Sequence, residues 1–122
     1  MIDLSIYEVI AMGDKVVTFL TKAKTLIKSG KRRFSTRKYP DGKNYIDKLF
    51  EDFGITVDVA WSHILSLQRG ELVQDSKFNY QKDSEAYVFK RLVNNSMAYI
   101  KIKIEKQIET EECVCISFHA DQ

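Results

Sequence analysis

The chain is sparing with the residues that break or staple a fold. Its 122 residues include one proline, Pro40, and five glycines. No stretch reads as a proline- or glycine-rich linker, and no repeat or low-complexity segment divides it. There are two cysteines, Cys113 and Cys115. Residues two apart on one strand have Cα atoms ~6.6–7 Å apart, a poor span for a disulfide. Reduced thiols are therefore expected, as in a cytoplasmic protein. No apolar run approaches the ~18 residues of a membrane span, and no N-terminal segment reads as a signal peptide. A soluble, cytoplasmic chain without membrane attachment is expected. A glycine-rich phosphate loop, an H-E-x-x-H helix and a Cys-x-x-Cys pair are all missing, which removes the common nucleotide-loop, zincin and redox signatures.

What is present suits one domain. At this length a chain buries roughly two thirds of its unfolded surface, and 44% hydrophobic residues suffice for a core. Net charge is only +2, but its distribution is uneven. Lys22, Lys24, Lys28, Lys31, Arg32, Arg33, Arg37, Lys38 and Lys43 form a basic stretch interrupted by Asp41 alone. Such a cluster attracts a polyanion locally; a solvated helix face followed by a basic turn accounts for it equally well.

Periodicity divides the chain into helices and then strands. Asp14 reads as an N-cap, and Val16, Phe19, Leu20, Ala23, Leu26 and Ile27 follow at amphipathic helical spacing as far as Gly30. Lys31 to Tyr39 reads as a basic connector, and Pro40-Asp41-Gly42 as a turn. Ile46, Leu49, Phe50 and Phe53 predict a second buried stripe. Val57, Ala60, Trp61, Ile64 and Leu65 predict a third. Beyond Arg69-Gly70 the period becomes two. Strands are expected over 72–80, 86–93, 97–105 and 114–119, with Asn94-Asn95-Ser96 as a tight turn. Residues 1–13 are weakly patterned and read as an additional element of the same domain. The expected fold is α+β, with N-terminal helices packed on one face of a C-terminal antiparallel sheet.

The chemistry gathers on the last strands. In 99–104 the isoleucines alternate with Tyr99, Lys101 and Lys103. In 113–119 Val114, Ile116 and Phe118 alternate with Cys113, Cys115, Ser117 and His119. Lys90 shares the parity of Val88 on the preceding strand. If the strands pair in simple order, Lys90, Tyr99, Lys101 and His119 surround one shallow groove. The register decides this, and sequence does not supply it. A phenol, ammonium groups and an imidazole suit phosphate and proton-transfer chemistry, and imidazole serves as acid or base near neutral pH without help. Lysines on the wet side of an edge are also common protection against aggregation. Cys113, Cys115 and His119 share a predicted face, but 113 to 119 spans ~20 Å, too far for one metal ion. No metal or cofactor is expected.

Four segments in order, Trp61–Leu67, Tyr87–Leu92, Ala98–Ile104 and Val114–His119, resemble the MqsR family of toxin–antitoxin ribonucleases. That family has helices before a sheet, a strand like V-Y-L-K-I and a terminal V-S-F strand. The similarity runs from about residue 15 to 119, including the first helix. It implies a RelE-like fold and a metal-independent endoribonuclease toxin that cleaves mRNA through 2′-hydroxyl attack, partnered by a protein antitoxin and, in some modes, the ribosome. It places the catalytic tyrosine on Tyr99, the terminal basic residue on His119 where lysine is usual, and the arginine on Lys90. Lys101 would join Lys90 in stabilising developing charge. Lys31, Arg32, Arg33, Arg37, Lys38, Lys77 and Lys103 would hold RNA phosphates. Two positions depart from the pattern. Gln74 stands where lysine is usual, with Lys77 the nearest substitute, and Ala86 stands where glutamine is usual. A catalytically silent relative that binds RNA or a protein is the alternative; in the protein-binding version the aromatics Phe78, Tyr80 and Tyr87 would matter most.

Overall fold

The computed structural model describes residues 14–78 and 85–121. Helix α1 spans Lys15–Lys28, and Asp14 caps it by accepting the Val16 and Val17 N–H groups. Helix α2 spans Tyr45–Phe53, capped by Asn44, whose side chain accepts the Asp47 N–H; Gly54 closes it in the left-handed conformation at φ 68°. Helix α3 spans Val57–Leu65 with Thr56 as its cap. Strands follow at Arg32–Phe34 (β1), Leu72–Phe78 (β2), Glu85–Val93 (β3), Ser96–Lys106 (β4) and Glu111–Ala120 (β5). The expected residues 79 and 80 of β2, and the additional element over 1–13, lie outside the described residues.

The α+β class is as the periodicity predicts: three described helices pack on one face of a five-stranded sheet. The sheet is not purely antiparallel. Its order is β1-β5-β4-β3-β2, and β1 runs parallel to β5. The basic connector thus contains a strand. Cys113 N–H donates to the Lys31 carbonyl and Ser35 N–H to the Cys115 carbonyl, both at 2.9 Å, so β5 gains a partner on its outer edge. A connector returning from α1 to the start of β5 meets it in parallel.

Between β3 and β4 the hairpin closes at Val93 opposite Ser96. Asn94 and Asn95 take φ 48° and 69°, the left-handed pair a two-residue hairpin requires. The Asn94 amide donates to the Phe53 carbonyl at 2.9 Å, tying the hairpin to the end of α2.

The core lies between helices and sheet. Ile27, Leu49, Ile64, Phe89, Ile100, Ile102 and Phe118 are fully enclosed. Fully burying one such side chain stabilises the fold by about 1.5–3 kcal/mol. Ile46 and Phe50 are not part of it: both are exposed, Phe50 at 72%. Only Leu49 and Phe53 of α2 are buried. The apolar stripe of α2 is wider than the sheet edge it covers. Tyr87 is also a core residue, 3% exposed, its ring 4.1 Å from that of Phe19. It is therefore not available to an external partner.

Strand β5 departs most from the expected alternation. Lys101 pairs with Ser117, but Ile102 pairs with Cys115. Ile116 is thus an extra residue, a β-bulge, and the alternation changes phase there. Cys113, Cys115 and Phe118 all join the helix-side core. His119 stays opposite Tyr99 on the other face. The two cysteines therefore do not share a face with His119, and Val114 lies opposite Lys103 on the face away from the helices, where it is itself buried. Both thiols are free and buried. Burial pushes Cys113 up to about 12 and Cys115 well above the ordinary thiol value, which leaves them without thiolate reactivity near neutral pH.

Candidate active site

Strand pairing decides which of the polar residues meet. Lys90 lies opposite Tyr99, and Tyr99 lies opposite His119. The three form one row across β3, β4 and β5 on the face away from the helices. The bulge at Ile116 is what brings His119 into that row while Phe118 enters the core. In the next row Lys101 lies between Val88 and Ser117. Among the described residues Lys101 has no ion-pair partner, so its ammonium is available to a ligand.

His119 sits between two phenol rings. Tyr99 stacks on it with centroids 5.0 Å apart and planes 17° apart. Tyr39 meets it edge-on at 5.5 Å and 85°. The imidazole Nδ1 lies 2.9 Å from the Ala120 carbonyl oxygen. A carbonyl only accepts, so this contact assigns the proton to Nδ1 and leaves a lone pair on Nε2 in the neutral ring. That is the tautomer a general base needs.

Beyond Ser35 the outer edge of β5 has no described strand beside it. Two side chains from distant segments take its N–H groups instead. Phe118 N–H donates to the Tyr39 hydroxyl at 3.0 Å, and Ala120 N–H donates to the Asp52 carboxylate at 2.8 Å. These bonds bracket His119 on either side along the strand. Burial pushes the Tyr39 phenol up, so it remains an O–H donor. The Lys48 ammonium lies 5.7 Å from the Tyr39 ring centroid and pairs with Asp41 at 3.0 Å, and that bond holds Lys48 above its ordinary value. Lys90 pairs with Asp121 at 2.9 Å.

Two open cavities flank this centre and share Tyr39, Pro40 and His119. One, of about 490 Å³, is completed by Asp41, Lys48, Tyr99 and Asp121. The other, of about 410 Å³, is completed by Arg37, Lys38, Ile116 and Ser117. A cationic side and a mixed aromatic and carboxylate side thus meet at the imidazole.

The remaining predicted cations do not gather here. Arg33 is held by Glu112 and Glu105, both at 2.8 Å, and the Glu112 bond raises its guanidinium further. Lys103 pairs with Glu105 at 3.1 Å and is mostly buried; this bond is the first cause of the low Glu105 carboxyl. Arg32 alternates to the helix side, 5.6 Å above the Trp61 ring. Lys31 lines a separate hollow with Lys106 and Glu111. Lys77 is placed by register opposite Ala86, and Gln74 opposite Val88. Of the basic connector only Arg37 and Lys38 reach the centre, because β1 turns Arg32 to the helix side and Glu105 and Glu112 hold Arg33.

Sequence reasoning missed Tyr39, Asp41, Lys48, Asp52 and Asp121. One local signal was there: Lys48 and Asp52 stand four apart on α2, so both line the flank that faces β5. Among the described residues no group of three His, Cys, Asp or Glu is arranged to hold a metal ion, and no helix is long and apolar enough to cross a membrane. Comparison with known protein families, with curated proteins and with solved structures finds no match.

Proposed function

We propose that this protein is a metal-independent endoribonuclease that cuts single-stranded RNA, with mRNA as its cellular target. The observation that carries the reading is the row Lys90–Tyr99–His119, with Nδ1 of the imidazole turned to a carbonyl and Nε2 left basic. In this reading Nε2 takes the proton of a ribose 2′-hydroxyl. The 2′-oxygen attacks the adjacent phosphorus, an O2′–P bond forms and the P–O5′ bond breaks. A 2′,3′-cyclic phosphate remains, and the 5′-oxygen leaves with a proton from the Tyr99 hydroxyl. Lys90, Lys101 and the Tyr39 O–H offset the charge that develops on the phosphorane. Arg37 and Lys38 hold the neighbouring phosphates. In a cell such an activity stops growth and calls for a protein antitoxin that covers the cleft. A RelE-like ancestry is part of the same proposal and rests on the ordered sequence segments.

A non-catalytic RNA-binding module is the second reading. It is favoured by the ion pairs that neutralise Arg33, Lys90 and Lys103 and by Ala86 and Gln74 at two positions where the resembling family carries glutamine and lysine. Purified protein incubated with a long single-stranded RNA in EDTA separates the two. Cleavage at discrete sites by the wild type, lost in His119→Ala and Tyr99→Phe, is the expected result. RNA retention without cleavage would establish the binding module.

A further inference from the structure

We propose that the 490 Å³ cavity is a nucleobase pocket that accepts bases carrying an exocyclic amino group and rejects uracil. The inference deepens the ribonuclease reading and takes its biological meaning from it, since the pocket opens directly on His119. The volume lies within the ordinary range for a small-molecule site and suits one nucleotide. Its walls are the Tyr39 and Tyr99 rings with Pro40, flat apolar surfaces of the kind on which unpaired bases stack.

The rim supplies the selection. Asp41 and Asp121 stand among the lining residues. Asp41 is fixed by a tight turn: Gly42 N–H donates to the Tyr39 carbonyl at 2.8 Å, Tyr39 N–H donates to the Lys43 carbonyl at 2.9 Å, and Asp41 Oδ1 accepts the Lys43 N–H at 3.0 Å. Gly42, at φ 85°, permits that turn. Asp121 is fixed by its own N–H, which donates to the Met97 carbonyl at 2.8 Å, and by Lys90. Each carboxylate offers about four acceptor positions, and the contacts above use two on Asp41 and one on Asp121. Lys48 and Lys90 neutralise the pair, so an anionic strand is not repelled, while the unused acceptor positions remain for an occupant of the cavity.

A carboxylate only accepts. Adenine, cytosine and guanine each carry an amino group that donates to it. Uracil offers a single N–H flanked by two carbonyls, whose lone pairs oppose those of the carboxylate. The cavity therefore favours the first three. With the phosphate side at Arg37 and Lys38 and the imidazole between the two cavities, the base held here fixes which phosphate meets His119.

The test is a titration of the wild-type protein with AMP, CMP, GMP and UMP and with inorganic phosphate, following the ring protons of Tyr39, Tyr99 and His119 by NMR. The amino-bearing monophosphates are expected to shift these rings and to bind about tenfold tighter than UMP, the worth of one hydrogen bond to a charged acceptor. In Asp121→Asn, which adds a donor at the rim, UMP is expected to come within a few-fold of the others. UMP binding as well as the rest would overturn the proposal. So would equal ring shifts from inorganic phosphate alone, or no ring shifts from any nucleotide. Because no bond is cut in this assay, the base ranking can stand while the nuclease assay fails, and the reverse.

Discussion

At the residue scale the centre is His119, and its environment makes definite demands. His119→Ala is expected to lower RNA cleavage by about 10²–10⁴-fold, the worth of one general acid–base group, with little change in melting temperature because the ring is partly exposed. Comparing cleavage rates and melting curves checks both halves. Tyr39 has a second duty. Tyr39→Phe removes the acceptor of the Phe118 N–H and is expected to destabilise the fold by about 1–3 kcal/mol, as for a donor left unmade, which denaturant unfolding would measure. The cysteines give a prediction in pH. Burial lifts Cys113 to about 12 from the ordinary 9.0, so the unfolded chain ionises first. Its contribution to stability is complete below about pH 9 and is lost as pH rises towards 12. Iodoacetamide is accordingly expected to leave both thiols unmodified at pH 8 and to react fully once the chain is unfolded, as mass spectrometry would record.

At the element scale the bulge at Ile116 governs the site. Before it Cys113 and Cys115 face the core; after it Phe118 does, and His119 emerges on the open face. Deleting Ile116 restores unbroken alternation. With the extra residue gone, Ser117 still falls opposite Lys101 and Phe118 opposite Ile100, so Phe118 stays in the core and His119 stays opposite Tyr99. The expected result is retained cooperative unfolding, seen as a sharp melting transition, and loss of that transition would contradict the assignment of Ile116 as the unpaired residue. The same element shows what sequence discloses. Alternation in 99–104 is uninterrupted, so the faces of β4 were legible. The 113–119 segment alternates equally well on paper, but one apolar residue inserted between pairs reverses its phase, and nothing local marks the insertion. Helix caps were legible at Asp14 and Gly54, because capping is a contact of neighbours. The parallel strand Arg32–Phe34 was not, because three charged or aromatic residues have no period, and their pairing partner lies about eighty residues away. The exposure of Ile46 and Phe50 was equally hidden: a stripe on a helix says which side is apolar, not how much sheet is there to cover it.

At the scale of the whole molecule the charges matter by location. The chain carries 19 lysines and arginines against 17 acids, and the acids of β4 and β5 hold Arg33 of the basic connector and Lys22 of α1. RNA affinity is therefore expected to depend on few cations. Arg37→Ala, Lys38→Ala and Lys101→Ala should each reduce the slope of log affinity against log salt by about 0.7, as for one phosphate contact on a single strand. Arg33→Ala should leave that slope nearly unchanged. Binding titrations at several salt concentrations, with His119→Ala used to prevent cutting, would test this. The candidate site was legible only in part for a related reason. Lys90, Tyr99 and His119 lie on strands whose parity is readable. Tyr39, Lys48 and Asp52 arrive from a turn and a helix flank, joined to β5 by bonds spanning 68 and 79 residues for Asp52 and Tyr39, a separation no local pattern reports.

The proposed reaction is attack by the 2′-hydroxyl with His119 as base. Its most direct test is to compare one single-stranded RNA with the same sequence 2′-O-methylated throughout, in EDTA, and to analyse the ends formed. Fragments ending in a 2′,3′-cyclic phosphate are expected from the first strand and none from the second. Cleavage of the methylated strand, or fragments bearing 3′-hydroxyl ends, would contradict it.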